Sequence, residues 1–509
     1  MPSHSTRSWR RALRNSVALA PLLCILGATS QGNPSDPANL AWQAGAIRHM
    51  QEMRRFLDAD SGRQPTAAII PQFEQHLDGS GRIATLQPGG PTQTSQNAFF
   101  ENMGTNGRTC FSCHQPQDGW SVSAASVQAR FEASRGTDPI FRLVDGATCP
   151  SNDVSSISAK RQSYSLLLKK GLIRVGLPMP ANTEFEVVSV DDPYGCNTNA
   201  STGLTSSTTG IVSIYRRPLP STNLGFLSTI MWDGREPSLR SQAVDATLGH
   251  AQANTAPSAL QVQQIVNFES GLFTAQVYDN KAGLLNSNGA TGGTADLQKQ
   301  LAGFFIGIND PLGSNPTGAP FTSQIFDLYP AWRNIGGAGD LVAYRKSVAR
   351  GEALFNNTPI SITGVGGLND PPSQPSINGF CGTCHDTPGV GNHSVTAPLN
   401  IGVADAGASS PPGLNIADLP VFTLKCDSGP LAGRMFVVTD PGRALISGKC
   451  VDIGKVKGPI LRGLAARAPY MHNGSAATLM DVVDFYVQRF GIAFTEEDKR
   501  DLVAFLQTL

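Results

Sequence analysis

The chain has 509 residues, enough for roughly two to four domain-sized units. Lys plus Arg and Asp plus Glu each number 39, so the formal net charge is zero, which argues against a strongly basic nucleic-acid-binding or membrane-surface protein. Charged residues make up only 15% of the chain, whereas Gly numbers 53 and Pro 35, and this balance predicts a loop-rich protein.

The N-terminal segment, residues 1–30, has the features of a secretory signal peptide. Arginines precede an apolar run over Val17–Ala28, and small residues at the end of that run, Ala28-Thr29-Ser30, suit cleavage. The run is too short to cross a bilayer comfortably, and no later stretch is long enough, so no membrane span is expected. We therefore predict that residues 1–30 are removed and that the mature chain is periplasmic.

Four elements are predicted before residue 340. Apolar residues at helical spacing predict an amphipathic helix over Trp42–Ala59. A short helix is expected at Phe99–Met103. Residues 145–215, rich in Ser, Thr, Asn and Gly with scattered β-branched residues, predict a long insertion that is partly hairpin. A second polar, Gly-rich stretch, residues 286–322, predicts a surface loop.

Two helices are predicted after residue 340. Leu341–Phe355 carries an apolar stripe at helical spacing. The sequence Thr495-Glu-Glu-Asp498 is a capping box, in which the first side chain satisfies free N–H groups at a helix start. It predicts a terminal helix over Lys499–Gln507.

Two Cys-x-x-Cys-His pentapeptides carry the strongest chemical signal. This spacing is the attachment signature of a c-type haem, because the thiols add to the porphyrin vinyl groups and the adjacent histidine ligates iron. Zinc sites and redox pairs also use Cys-x-x-Cys, but zinc normally needs a second ligand pair nearby and neither motif has one. The sequence therefore predicts two covalently bound c-type haems, held by Cys110, Cys113 and His114 and by Cys381, Cys384 and His385.

The other cysteines are consistent with an oxidising compartment. Of nine cysteines, four serve the haem motifs and Cys24 leaves with the signal peptide. The remaining four allow three pairings, and sequence proximity favours the disulfides Cys149–Cys196 and Cys426–Cys450. The alternative is that some of them stay as buried thiols.

Two further segments resemble signatures of the bacterial dihaem cytochrome-c peroxidases and MauG. Residues 231–243, Met-Trp-Asp-Gly-Arg-Glu-Pro-Ser-Leu-Arg-Ser-Gln-Ala, are similar to the inter-haem signature, and residues 457–475 are similar to the second one. With both haem motifs in the right order, the resemblance spans about residues 95–509 apart from two insertions. It implies a mainly α fold of two cytochrome c-like haem domains with long loop insertions, over residues 31–340 and 341–509.

The resemblance implies an oxidoreductase that reduces hydrogen peroxide at the N-terminal haem, with electrons relayed through the C-terminal haem. Trp232 matches the tryptophan relay between the haems, although a buried Trp is ordinarily a core residue. For Asp233 and Arg235 we expect a turn held by a local salt bridge. The electron donor or protein substrate is not specified. A dihaem oxygenase of an apolar substrate and a non-catalytic electron-transfer dihaem cytochrome remain alternatives.

The chain departs from the peroxidases on the distal side of the first haem. No histidine occurs between His114 and His250, so the distal histidine of those enzymes is absent and an open iron is expected. Counted without gaps from Trp232, the family's acid–base glutamate falls on Gln252, as it does in MauG. Glutamine is a poor proton donor, so His250 is a second candidate for proton transfer, unless it is simply a surface or hydrogen-bonded histidine.

The distal ligand of the second haem also differs. The position of the methionine ligand in the peroxidases matches Tyr486 in this chain. MauG resembles this chain in having a tyrosine there. A phenolate stabilises ferric iron, whereas a thioether favours ferrous iron. The alternatives to Tyr486 as this ligand are His472, Met471 or no ligand at all.

The family also implies a calcium ion between the haems. Its ligands would be carbonyls near Arg467 and Pro469 together with an Asn side chain. The segment Arg216–Pro220 stands where that Asn is expected, and the first Asn after it is Asn223, which argues against calcium in this chain.

Overall fold

Strands as well as helices build residues 69–509, the part of the chain that the computed structural model describes. Of these residues, 30% are helical and 17% are strand. The predicted mainly α fold class is therefore wrong. The predicted signal peptide, residues 1–30, and the predicted helix Trp42–Ala59 lie outside the described residues.

Ten α-helices lie in the described part of the chain. They are α1 Ala124–Ser134, α2 Ile157–Ser163, α3 Ser165–Lys170, α4 Leu239–Gly249, α5 Ala259–Ser270, α6 Thr294–Gln300, α7 Asp340–Asn357, α8 Ala444–Ser447, α9 Leu479–Phe490 and α10 Glu496–Leu506. Short 3₁₀ turns supplement them, and one of these, Ala98–Phe100, overlaps only the first two residues of the short helix predicted at Phe99–Met103. Residues 101–103 are not helical.

Fourteen strands form five antiparallel sheets within residues 69–509. The strands are β1 Ile69–Ile70, β2 Phe73–Leu77, β3 Gly81–Leu86, β4 Thr92–Gln93, β5 Ile173–Pro178, β6 Phe185–Asp191, β7 Leu204–Ser206, β8 Thr209–Arg216, β9 Phe273–Asp279, β10 Gly283–Leu284, β11 Ile360–Thr363, β12 Ser376–Gly379, β13 Val421–Cys426 and β14 Met435–Val438. The largest sheet has the order β10-β9-β3-β2, and two three-stranded sheets have the orders β14-β13-β6 and β5-β8-β7.

The two helices predicted after residue 340 are both present, as α7 and α10. Helix α7 covers the predicted Leu341–Phe355 with a few residues added at its ends. Helix α10 begins after Thr495, whose hydroxyl accepts the Asp498 N–H in the predicted capping box. The two helices approach closely, because a Cβ on Gly351 of α7 would lie 2.0 Å from the Asp501 carbonyl. Glycine is therefore required at that contact.

The predicted insertion, residues 145–215, is stabilised by strand pairing and by a disulfide. Strands β5 and β8 pair antiparallel, as expected for a hairpin-containing segment. Both predicted disulfides, Cys149–Cys196 and Cys426–Cys450, are present. Strand β6 of the insertion pairs with β13, which lies beyond residue 340 in the sequence. The boundary between the two predicted domains stays a prediction.

The second predicted loop, residues 286–322, contains a helix. Helix α6 lies within it, and Leu297 of α6 is fully buried beside Phe273 and Ala275 of β9. The prediction of a surface loop is wrong for this part, because a single apolar residue gives no periodic signal but finds a core contact. Within residues 69–509, no helix has the length and apolar character needed to cross a bilayer.

Candidate functional site

The first Cys-x-x-Cys-His motif forms a tight 3₁₀ turn, Cys110–Ser112. The His114 N–H donates to the Cys110 carbonyl at 3.1 Å, which fixes the histidine against the turn. Its Nδ1 donates to the Trp120 carbonyl at 2.9 Å and lies 3.1 Å from the Ser221 hydroxyl. Because a carbonyl only accepts, Nδ1 carries the hydrogen and Nε2 keeps the lone pair that a metal needs.

The second motif repeats this construction. Its 3₁₀ turn is Cys381–Thr383, and the His385 N–H donates to the Cys381 carbonyl at 3.1 Å. Nδ1 of His385 donates to the Gly391 carbonyl at 2.6 Å. Burial lowers the pKa of His385, and it lowers the pKa of His114 to about 4. Both imidazoles are therefore neutral near pH 7, as ligation requires.

The four motif cysteines are free thiols. Burial raises the pKa of both Cys381 and Cys384 to about 12, so these thiols do not ionise at neutral pH. Metal binding and disulfide exchange use the thiolate. Among residues 69–509, no group of three or more His, Cys, Asp or Glu side chains is arranged to hold a metal ion. The arrangement does not favour the zinc alternative.

One continuous cavity contains both motifs. Its walls include the motif cysteines and histidines, together with Trp232, His250 and Tyr486. Aliphatic side chains line much of the rest, among them Ile265, Ile360, Leu461, Val483 and Leu506. An apolar cavity that reaches two attachment turns has the chemistry needed for porphyrin rings.

Four basic side chains line this cavity without a salt bridge to any described carboxylate. They are Arg217, Lys457, Arg462 and Arg467. Burial lowers the pKa of Lys457 to about 7 and the pKa values of the three arginines to about 10. An unpaired buried cation is unfavourable, so the cavity suits an anionic occupant. Each haem carries a pair of propionate carboxylates, and the residues present therefore fit two haems.

His250 reaches the cavity from the end of α4. Its Nδ1 lies 2.6 Å from Oδ2 of Asp145, and the other oxygen of Asp145 lies 2.5 Å from Nη1 of Arg108. Burial alone would raise the pKa of Asp145, but Arg108 and His250 outweigh it and hold that pKa below its usual value. Asp145 is therefore a carboxylate that orients the His250 ring.

Gln252 lies apart from the cavity. Its side chain is exposed, and its Oε1 accepts a hydrogen bond of 3.2 Å from Asn106. Its φ of 55° puts the backbone in the left-handed region. Of the two distal candidates, the structure brings His250 to the cavity beside the first motif, and it leaves Gln252 at the surface.

Trp232 and His472 form one contact in the cavity wall. Their ring centroids are 6.0 Å apart in a T-shaped arrangement, and the Trp232 indole N–H donates to the Arg217 carbonyl at 2.8 Å. His472 is buried, which lowers its pKa to about 4, and its Nε2 lies 3.5 Å from Asp440. His472 is thus packed between Trp232 and a carboxylate.

A buried ion-pair network underlies this contact. The Arg216 guanidinium binds Asp440 through Nε at 2.6 Å and through Nη2 at 2.9 Å, and it binds Asp233 at 2.5 Å. Arg235 also pairs with Asp233 at 3.0 Å, so the predicted local salt bridge is confirmed. The network fixes the turn that carries Trp232.

Tyr486 lies on α9 near the second motif. Its ring packs against Phe485 and stacks on Phe490, with centroids 5.3 and 6.2 Å away. Burial raises its pKa, and the nearby Cys384 and Cys381 raise it further. Its hydroxyl has no hydrogen-bond partner among the described residues. Tyr486 therefore lies close enough to these cysteines for them to affect its pKa, whereas His472 contacts Trp232.

Sequence comparison relates the chain to curated peroxidases. It is 26% identical over 306 residues to cytochrome-c peroxidase IdrP1 of Pseudomonas sp. (strain SCT), a match that covers 56% of this chain and 66% of that protein. It is 44% identical over 78 residues to cytochrome-c peroxidase IdrP2 of Denitromonas iodatirespirans, covering 14% of this chain and 21% of that protein. These relatives support the resemblance to the dihaem cytochrome-c peroxidases that the sequence motifs indicate.

The remaining comparisons add little to this resemblance. The chain spans only about a fifth of the length of the first curated relatives that it matches. No protein-family model matches it. The crystal structure of a MauG-like protein associated with microbial copper homeostasis covers 81% of this chain and 86% of that one, at 16% identity and a TM-score of 0.37. This TM-score is too low to establish a common fold.

The calcium ion that the family implies does not fit this chain. The Arg467 carbonyl, which calcium would need, accepts a hydrogen bond of 2.8 Å from the Arg217 guanidinium. A second guanidinium, that of Arg467, lies near enough to lower the pKa of Arg217, after the larger effect of burial. A divalent cation beside two arginines would be repelled.

Sequence reasoning missed Asp145, Arg108 and Arg217. Asp145 and His250 are 105 residues apart, and Arg108 is adjacent to the first motif but carries no known signature. The single available signal was negative, the absence of an Asn in Arg216–Pro220, which pointed to an altered cation site there.

Proposed function

We propose that this chain is a dihaem cytochrome-c peroxidase-type oxidoreductase that reduces hydrogen peroxide at the His114 site. One observation carries the proposal: two attachment turns of matching construction reach a single cavity lined by unpaired basic side chains. The predicted signal peptide, residues 1–30, supports export to the periplasm. The electron donor or protein substrate is not part of the proposal.

The haems would be held by the motif cysteines, and His114 and His385 would ligate their iron. Bound at these sites, they would supply the redox-active iron for peroxide reduction and electron transfer. Of the basic side chains described above, Lys457, Arg462 and Arg467 would neutralise their propionates. As a further ligand of the second haem we propose Tyr486, which lies in the wall of the cavity that also contains Cys381 and Cys384, with His472 and Met471 as alternatives.

We propose His250 as the group that transfers protons to and from peroxide. Its Nδ1 is engaged by Asp145, so Nε2 is the nitrogen left to exchange a proton with the cavity. The Asp145 carboxylate also holds the His250 ring in this orientation. Gln252 offers no titratable group and has an exposed side chain, so it is the weaker candidate.

Trp232 is proposed as the electron relay between the two sites. Its indole N–H donates to a carbonyl that cannot accept a proton, so an oxidised Trp232 would keep its hydrogen and return readily to the neutral form. The plain alternative, a packing role, predicts that Trp232→Phe leaves electron transfer unchanged.

The test uses purified holoprotein. Pyridine haemochrome and intact mass should give two haems per chain, and stopped-flow mixing of ferric protein with peroxide should change the absorption spectrum without prior reduction. Two low-spin haems whose absorption spectrum does not change with peroxide would instead indicate an electron-transfer cytochrome. Oxygen uptake that depends on an added apolar substrate would indicate an oxygenase.

A further inference from the structure

We propose that Arg217 is a built-in cation that takes the place of a metal ion between the two haem sites and makes this protein independent of calcium. Its guanidinium donates to three main-chain carbonyls from separate segments of the chain. The distances are 2.5 Å to Val122, 3.0 Å to Lys170 and 2.8 Å to Arg467. Converging carbonyl oxygens are the ligands of a hard cation such as Ca²⁺.

The space around the guanidinium is closed. Only 6% of Arg217 is exposed, and no described carboxylate forms a salt bridge with it. Gly171 has a φ of 60°, and a Cβ there would lie 2.5 Å from Nη1 of Arg217. The glycine therefore meets two requirements at once, a left-handed turn and room for the guanidinium. The guanidinium thus occupies the space on which the three carbonyls converge, and a metal ion cannot lie there as well.

Arg217 also holds the proposed relay through its main chain. Its carbonyl accepts the Trp232 indole N–H at 2.8 Å, and its N–H donates to the His472 carbonyl at 2.7 Å. The side chain thus links three segments, while the backbone of the same residue fixes the contact between Trp232 and His472. A bound metal would position these segments by coordination. Here the hydrogen bonds of a single residue, Arg217, position them instead.

The first test needs no variant and no peroxidase assay, so it is independent of the proposed function. Holoprotein dialysed against EDTA should keep its absorption spectrum and thermal midpoint. CaCl₂ titrated into it by calorimetry should give no stoichiometric binding. One Ca²⁺ per chain bound in the micromolar range, or a midpoint that falls in EDTA and returns with Ca²⁺, would overturn the proposal.

A chemical-rescue test then examines the cation itself. Arg217→Ala should lower the thermal midpoint and perturb the haem spectrum, and millimolar guanidinium chloride should restore both by occupying the vacated space. Arg345→Ala is the matched control, since Arg345 is also buried, donates to the Ala282 carbonyl at 2.8 Å and has no carboxylate partner among the described residues.

The rescue should be specific to the Arg217 site. Arg345→Ala is expected to leave the haem spectrum unchanged and to show no spectral rescue. Rescue of Arg217→Ala by Ca²⁺ and not by guanidinium, or an unperturbed haem spectrum in that variant, would reject the built-in cation. If Arg217→Ala does not accumulate as folded protein, the calcium titration of the unmodified chain decides.

Discussion

The two attachment sites share their proximal construction and differ on their distal sides. In each, the histidine Nδ1 donates to a carbonyl six residues further along the chain, Trp120 for His114 and Gly391 for His385. Beside the first site lies His250, held by a carboxylate. Beside the second lies Tyr486, packed among aromatic rings. The two Cys-x-x-Cys-His turns are alike, whereas the residues beside them differ, and this asymmetry suits the proposed division of labour.

Removing one attachment site at a time should give the largest effects. Cys110→Ala combined with Cys113→Ala should halve the haem content and abolish the peroxide reaction, because the open iron is lost. Cys381→Ala combined with Cys384→Ala should also halve the haem content but keep the reaction of the first haem with peroxide. Pyridine haemochrome measures the haem content, and stopped-flow absorbance measures the reaction with peroxide. Equal loss of the peroxide reaction in the two double variants would contradict the division of labour.

The distal side of the first site can be tested with His250 and Gln252. His250→Gln should lower the second-order rate constant for peroxide by ~10²–10⁴-fold, the usual range for a lost general acid–base group. Gln252→Ala is the matched control and should change it little, because that side chain is exposed. Stopped-flow measurement at several peroxide concentrations gives the constants. If Gln252→Ala proves the more damaging change, His250 is not the proton-transfer group.

A spectroscopic comparison tests the distal side of the second site. Tyr486→Met should raise the reduction potential of the second haem and change its spectrum, because a thioether favours ferrous iron. His472→Ala should leave the ligation of that haem intact, since His472 contacts Trp232 and Asp440. Redox titration followed by absorbance and EPR distinguishes them. A changed low-spin spectrum in His472→Ala alone would assign the ligand to His472.

The smallest expected effect concerns the two C-terminal helix caps. Thr478 caps α9, which carries Tyr486, and Thr495 caps α10. Either change to Ala should cost about 1 kcal/mol of unfolding free energy, the usual value of an N-cap. Only Thr478→Ala should also broaden the spectrum of the second haem, because fraying at the start of α9 loosens Tyr486. Urea unfolding and absorption spectra would show this, and matching spectra in the two variants would count against Tyr486.

Local signals were sufficient for some of this architecture. Two helices were predicted from signals that lie within a few turns of the chain. The apolar stripe of α7 and the capping box beginning at Thr495 each predicted a helix, and both helices are present. The two disulfides were also accessible, because each joins cysteines that are neighbours in the sequence.

Contacts between distant segments could not be predicted in the same way. The mainly α prediction failed because strands such as β6 find their partners far along the chain. An ungapped count from Trp232 gives Gln252, whose side chain is exposed, but it does not show that His250 lines the cavity. Asp145 and Arg217 acquire their roles only through such tertiary contacts.

The pairing of β6 with β13 has a consequence for dissecting the molecule. Phe185 and Val187 of β6 are buried against Phe422 and Leu424 of β13. A fragment ending at residue 340 would present a strand edge with unpaired backbone groups and two bare apolar side chains. Such edges recruit other chains. Expressed separately, the N-terminal fragment should therefore aggregate, and co-expression with residues 341–509 should recover soluble protein by fragment complementation.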